Sequence, residues 1–169
     1  LAYGRKGLAL MAISGVDLAL WDLRGRRQGK SIIDLLGGAS GFPLPAYKTT
    51  GLDGVPLDSG EGFAAYKVGG LSRLDAREDV DQIVEELSEA RDKVGSGLQL
   101  MADAGMGWRD PEVILTLCER LVHLNLGWLE EPLPADDLEG YAWLRERSPI
   151  PIAGGEHEFT ANAFAELMR

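Results

Sequence analysis

Hydrophobic and polar positions alternate along this chain with two periods, one helical and one extended. Residues 8–24, LALMAISGVDLALWDLR, read as a mostly buried helix with Ile13, Val16, Leu20 and Leu23 on one face. Ser31 is placed to cap a short second helix, Ile32–Leu36, which stops at Gly37-Gly38. Pro43 and Pro45 mark a linker into a strand over 46–50, and a second strand is expected over 63–68. The clearest helix runs over 76–94. Val80, Ile83, Val84, Leu87 and Ala90 form its apolar face, and Gly95 sits where a capping glycine belongs.

From there the alternation is regular. A strand over 98–102 precedes a helix over 111–124, with Asp110 as N-cap and Pro111 in the first turn. A strand over 127–130 precedes a helix over 137–146, capped by Asp136 or Asp137. A strand over 151–155 precedes a last helix from near Thr160. Strands alternating with helices imply a parallel sheet with right-handed crossovers. The fold class is therefore α/β, a partial TIM-type (β/α) barrel. About five strands are present, whereas closure takes eight and typically ~250 residues. One connection fits poorly: residues 51–62 are glycine-rich and lack helical periodicity, although a parallel crossover usually contains a helix.

Composition narrows the partners. The chain has 169 residues, 45% hydrophobic and 26% charged, with a net charge of −10. That balance argues against nucleic acid or an anionic membrane, both of which need basic patches. The one cysteine, Cys118, lies within a helical apolar stripe and reads as a core residue. With no internal disulfide possible, a reducing, cytoplasmic setting is the simple expectation. No run approaches the length of a transmembrane helix. Leu1 is not a start methionine, and the expectation is an internal piece of a longer protein.

The candidate chemistry lies in three acids. Asp103, Glu130 and Glu156 follow successive short apolar runs, 27 and then 26 residues apart. Singly, each has an ordinary reading as a turn former or a solvated charge. Together, at the C-terminal ends of neighbouring parallel strands, they point into the mouth of an α/β barrel, where chemistry is sited. Like charges so placed repel and call for a cation, and oxygen-only ligation suits a hard divalent ion such as Mg²⁺.

These residues carry a resemblance. Gly127-Trp128-Leu129-Glu130-Glu131-Pro132 resembles the W-[IL]-E-E-P signature of the mandelate racemase/muconate-lactonizing branch of the enolase superfamily. Ile13–Gly38 is similar to the segment joining that family's capping domain to its barrel. Met101-Ala102-Asp103-Ala104 and Ala153-Gly154-Gly155-Glu156 resemble its first and third metal-ligand strands. Gly62-Phe63-Ala64-Ala65-Tyr66-Lys67 resembles its second barrel strand, which carries K-x-K.

The resemblance implies that residues 1–42 end an α-helical capping domain and residues 43–169 begin the barrel. It implies Asp103, Glu130 and Glu156 as Mg²⁺ ligands, Glu131 behind them, and Lys67 as the first lysine of K-x-K. The second lysine is replaced by Gly69. In that superfamily a Lys or His base acts beside Mg²⁺ on a proton α to a carboxylate, and the ion stabilises the resulting enediolate. Lys67 is a candidate for holding a substrate carboxylate, with a pKa lowered by desolvation and a nearby cation. His157, in Gly-Glu-His-Glu-Phe-Thr, resembles acid-sugar dehydratases of this branch and is a candidate substrate contact. His123 reads as structural.

The expected function is dehydration of a sugar acid by a Mg²⁺-dependent lyase, acting in a homo-oligomer on a small carboxylate substrate. A racemase, epimerase or cycloisomerase is the nearest alternative, because loss of the lysine at position 69 disfavours two-base chemistry without deciding the outcome. A non-catalytic half-barrel that covers its open edges with another chain is the other.

Overall fold

The computed structural model describes residues 4, 6–38, 41, 43–55 and 62–168. They divide into two compact units, Pro45–Glu156 and Leu1–Leu44 with His157–Arg169.

The larger unit is built on five parallel strands in the spatial order of the chain. These are β1 (Tyr47–Gly51), β2 (Ala65–Gly69), β3 (Gln99–Asp103), β4 (Leu126–Glu130) and β5 (Ile152–Ala153). Sequential neighbours in a parallel sheet are the signature of a singly wound barrel wall. Strand alternation sends Tyr66, Val68, Leu100 and Ala102 to one face, where they join a single apolar core. That core is closed by Ile83, Leu87 and Ala90 of α3 (Val80–Val94) and Ile114, Leu117, Cys118 and Leu121 of α4 (Pro111–Leu121), with Leu144 of α5 (Leu138–Arg147).

Local chemistry sets the helix ends. The Asp110 side chain accepts from the backbone N–H groups of Glu112 and Val113, and Pro111 occupies the first turn. Asp137, of the two expected candidates, caps α5. Gly95 ends α3 at φ 74°, a left-handed conformation that favours glycine.

Three boundaries differ from the sequence expectation. β5 is only two residues long. β2 begins at Ala65 rather than at 63. β1 continues into a 3₁₀ turn at Leu52–Gly54, and residues 56–61 lie outside the described set. β1 and β2 nevertheless pair in parallel, Tyr47 with Ala65 through Gly51 with Gly69. A 3₁₀ turn occupies the described part of the crossover, where no helical periodicity exists to build more.

β4 carries a further irregularity. Leu100 pairs with Leu126 but Ala102 pairs with Leu129, so β4 has one extra residue at Gly127-Trp128. This β-bulge lets Leu126 and Leu129 both face the core while Trp128 and Glu130 face the other way.

The smaller unit holds α1 (Leu8–Gln28), α2 (Ile32–Leu35) and α6 (Thr160–Leu167). Ser31 caps α2 in a reciprocal box with Asp34. α1 corrects the expectation of a mostly buried helix. Ile13, Val16, Leu20 and Leu23 are 53%, 62%, 59% and 50% exposed, and Gly25 is its one buried residue. Met11 and Leu18 are exposed as well, so apolar residues surround the helix. Such a helix is covered only by neighbours on every side. Gly25 is required where α1 meets the following turn, because a Cβ there would stand 2.9 Å from the Lys30 carbonyl oxygen. Among the described residues no helix is long and apolar enough to cross a membrane.

Candidate metal centre

The C-terminal ends of β2, β3 and β4 bring Lys67, Asp103 and Glu130 together. Asp103 and Glu130 are direct neighbours in the β3–β4 register. Two carboxylates side by side repel, and partial burial strengthens that repulsion. Lys67 is paired with Met101, two residues before Asp103, so its long side chain runs up the sheet to the strand ends. Its Nζ lies 2.8 Å from Asp103 Oδ2 and 2.9 Å from Glu130 Oε2. Lys67 is 7% exposed, a burial that a lysine tolerates only when paired.

Backbone contacts hold the two acids at this separation. Ala104 N–H donates to the Glu130 carbonyl at 2.9 Å, and Met106 N–H donates to the Glu131 carbonyl at 2.6 Å. Gly105 N–H donates to Asp103 Oδ1 at 3.0 Å, fixing the carboxylate from its other oxygen. Gly105 has φ 55°, so glycine suits the turn that aims this N–H back.

The electrostatics of Lys67 reverse the expectation of a lowered pKa. Burial is the largest single influence and acts downward. The hydrogen bonds and charges of Asp103 and Glu130 together outweigh it, and the ammonium is held above the ordinary lysine range.

Gly69 follows Lys67 on the same face of β2, and a Cβ there would meet Asp103 Cβ at 4.0 Å, an ordinary contact. A side chain at this position would thus lie against the first acid.

The remaining candidates are placed differently. The partner of Glu130 on β5 is Ala153, so Glu156 lies three residues past the register position of the other two acids. It is an exposed residue of the turn after β5, with a carboxylate oxygen within 4.8 Å of one of Glu131. Glu131 is 2% exposed with φ 43°, a strained conformation for a non-glycine residue, and its N–H donates to the Ala153 carbonyl at 2.9 Å. His157 is exposed and falls in the other unit. His123 is exposed in the 3₁₀ turn after α4.

Trp128 was not singled out by spacing or charge. Its indole Nε1 donates to Glu130 Oε2 at 3.0 Å, and its ring meets Tyr47 edge-on at 5.8 Å between centroids. The usable signal was an aromatic residue two positions before an acid on one strand, where both share a face.

Residues 58–169 match the family model described as enolase C-terminal domain-like, and residues 2–37 match the mandelate racemase/muconate lactonizing enzyme N-terminal domain. The chain belongs to the mandelate racemase/muconate-lactonizing family of the enolase superfamily. It is similar to an L-rhamnonate dehydratase of Saccharopolyspora erythraea, 38% identical over 175 aligned positions that cover 99% of this chain and 43% of that one. It is similar to a D-galactarolactone cycloisomerase of Agrobacterium fabrum, 34% identical over 166 positions, 90% of this chain and 42% of that one. The crystal structure of rhamnonate dehydratase from Gibberella zeae complexed with Mg superposes with a TM-score of 0.85 at 34% identity, covering 98% of this chain and 40% of that one. The chain spans less than half the length of these relatives, and its five strands are part of a (β/α) barrel.

Proposed function

We propose that this chain carries the metal-binding part of a Mg²⁺-dependent active site that removes the proton α to a carboxylate, in a protein that dehydrates a sugar acid. The observation that supports it is the convergence of Asp103 and Glu130 on one buried cation, the Lys67 ammonium. A cation is held there by carboxylate oxygens alone, which is the donor set that a hard divalent ion takes. Asp103 and Glu130 are the ligands on this reading. Glu156 is the third, brought in from the turn after β5, with buried Glu131 behind it. Residues 1–42 then end the capping domain and residues 43–169 form the barrel portion.

An Mg²⁺ held by these carboxylates would supply Lewis-acid stabilisation of the negative charge that develops on the substrate carboxylate. The chain's own groups bind and orient. Lys67, a buried cation on the same face as the acids, holds a carboxylate oxygen of the substrate and supplies fixed positive charge where negative charge develops. The Gly105 N–H keeps Asp103 from rotating. With Gly69 in place of a second lysine, β2 offers one amine rather than two, which favours elimination over a two-base racemisation. The dehydratase relatives favour the same outcome, and the cycloisomerase relative keeps ring isomerisation as the second reading.

The test is Asp103→Asn in the protein carrying this chain, assayed for Mg²⁺ affinity and for turnover on a panel of sugar acids. Loss of both supports the reading, and retention of both overturns it. Turnover in D₂O separates the chemistries: dehydration yields a keto acid with loss of water, whereas racemisation or ring isomerisation returns an isomer of the substrate bearing solvent deuterium.

A further inference from the structure

On β4 the indole N–H of Trp128 stands against the carboxylate of Glu130, two residues further along the same face. Were the register Leu100–Leu126 to continue, Trp128 would pair with Ala102, and the side chains of Trp128 and Glu130 would fall together on the core face. With the bulge, both side chains stand on the Lys67 face. Two residues of strand rise about 6.6 Å, a gap that an indole spans and a smaller side chain does not.

Two donors then meet one oxygen. Lys67 Nζ and Trp128 Nε1 lie 2.9 Å and 3.0 Å from Glu130 Oε2, which leaves Oε1 outside both bonds. The Trp128 and Tyr47 rings pack edge to face. Gly127 lies beside the Gln99 side chain, whose movable Nε2 end would stand 2.8 Å from a Cβ there. An uncharged N–H that anchors one oxygen of a carboxylate fixes its plane without competing for a cation, as outer hydrogen bonds do for metal ligands.

We propose that Trp128 is a positioning residue for the metal centre: its indole N–H anchors Glu130 Oε2, on the face to which the β4 bulge turns both residues. The proposal rests on the Mg²⁺ reading above. Trp128 remains bonded to Glu130 when the cation arrives, whereas the Lys67 bond is the one that yields.

The experiment pairs calorimetric Mg²⁺ titration with indole N–H resonances of the ¹⁵N-labelled chain. Trp128→Phe keeps the ring and removes the donor. The expected result is Mg²⁺ affinity weakened about 10- to 100-fold, with circular dichroism unchanged. Glu130→Gln is expected to shift the Trp128 indole proton upfield, and Mg²⁺ added to the wild type is expected to leave that proton bonded and protected from exchange. Wild-type affinity in Trp128→Phe overturns the positioning role alone. An indole proton indifferent to Glu130→Gln, or released into rapid exchange by Mg²⁺, also overturns it, and this measurement does not require Trp128→Phe to fold. A wild type that binds no Mg²⁺ overturns the metal reading, and the positioning role with it.

Discussion

Two cations of the larger unit, buried Lys67 and half-buried Arg91, are held in opposite ways. Lys67, at the C-terminal ends of the strands, sits between two carboxylates. Arg91, on α3, donates to four carbonyl oxygens: Leu124 at 3.0 Å, Gly95 at 3.0 Å, Leu98 at 2.9 Å and Asn125 at 3.3 Å. Those carbonyls belong to the end of α3 and the segments entering β3 and β4, so Arg91 ties together the opposite end of the sheet. The consequences for charge differ in sign. Burial alone moves Arg91, downward, because neutral carbonyls do not offset lost solvation. Lys67 moves upward because two full negative charges do. At the Arg91 end the cation is held by neutral backbone carbonyls. The Lys67 end holds more acid than its one cation neutralises, which is the condition for taking up another.

Removing each cation separates the two cases. Lys67→Met leaves Asp103 and Glu130 adjacent and unneutralised, and unfolding in urea without metal is expected to show a loss of about 3 kcal/mol. Added Mg²⁺ should restore more stability to this variant than it adds to the wild type. A variant as stable as the wild type would show that the two acids are solvated rather than paired. Arg91→Met is expected to lose about 2 kcal/mol, since several carbonyls lose a charged donor. Mg²⁺ should restore none of it, and any recovery would break the distinction between the two ends.

Alkaline titration probes the core between them. Cys118 is fully buried, and burial pushes its thiol from 9.0 up to about 11. Above pH 9 the unfolded chain gives up this proton before the folded one does, so the folded state binds more protons and stability falls as pH rises. The loss should approach about 2–3 kcal/mol by pH 11, and Cys118→Ala should flatten that part of the curve. The smallest effect is expected at Gly69. With a Cβ in ordinary contact at 4.0 Å from Asp103, Gly69→Ala should change stability by no more than about 0.5 kcal/mol. A larger loss would mean that the space beside Asp103 is already needed.

Much of this architecture was legible in the sequence because local signals and tertiary packing agree. The apolar stripe of α3, the capping glycine at 95, and the Asp110-Pro111 start of α4 are each decided within one helix turn of themselves. Asp103 and Glu130 stood out because strand ends in a parallel wall lie side by side. What was hidden depends on registers and partners. Equal spacing suggested that Glu156 is in phase with the other acids, but β5 pairs for only two residues and Ala153 takes the matching position. The bulge at Gly127-Trp128 leaves no mark in composition, so the face that Trp128 and Glu130 share is decided by a register that spacing does not give. The exposure of α1 was missed because an apolar helix reads as buried whether or not its covering elements are at hand.

The most direct measurement is a calorimetric Mg²⁺ titration of the 169-residue chain beside Asp103→Asn and Lys67→Met. One site per chain, lost in Asp103→Asn and retained in Lys67→Met, is the expected result. Heats that are absent, or equal in the wild type and Asp103→Asn, would contradict a metal centre at these strand ends.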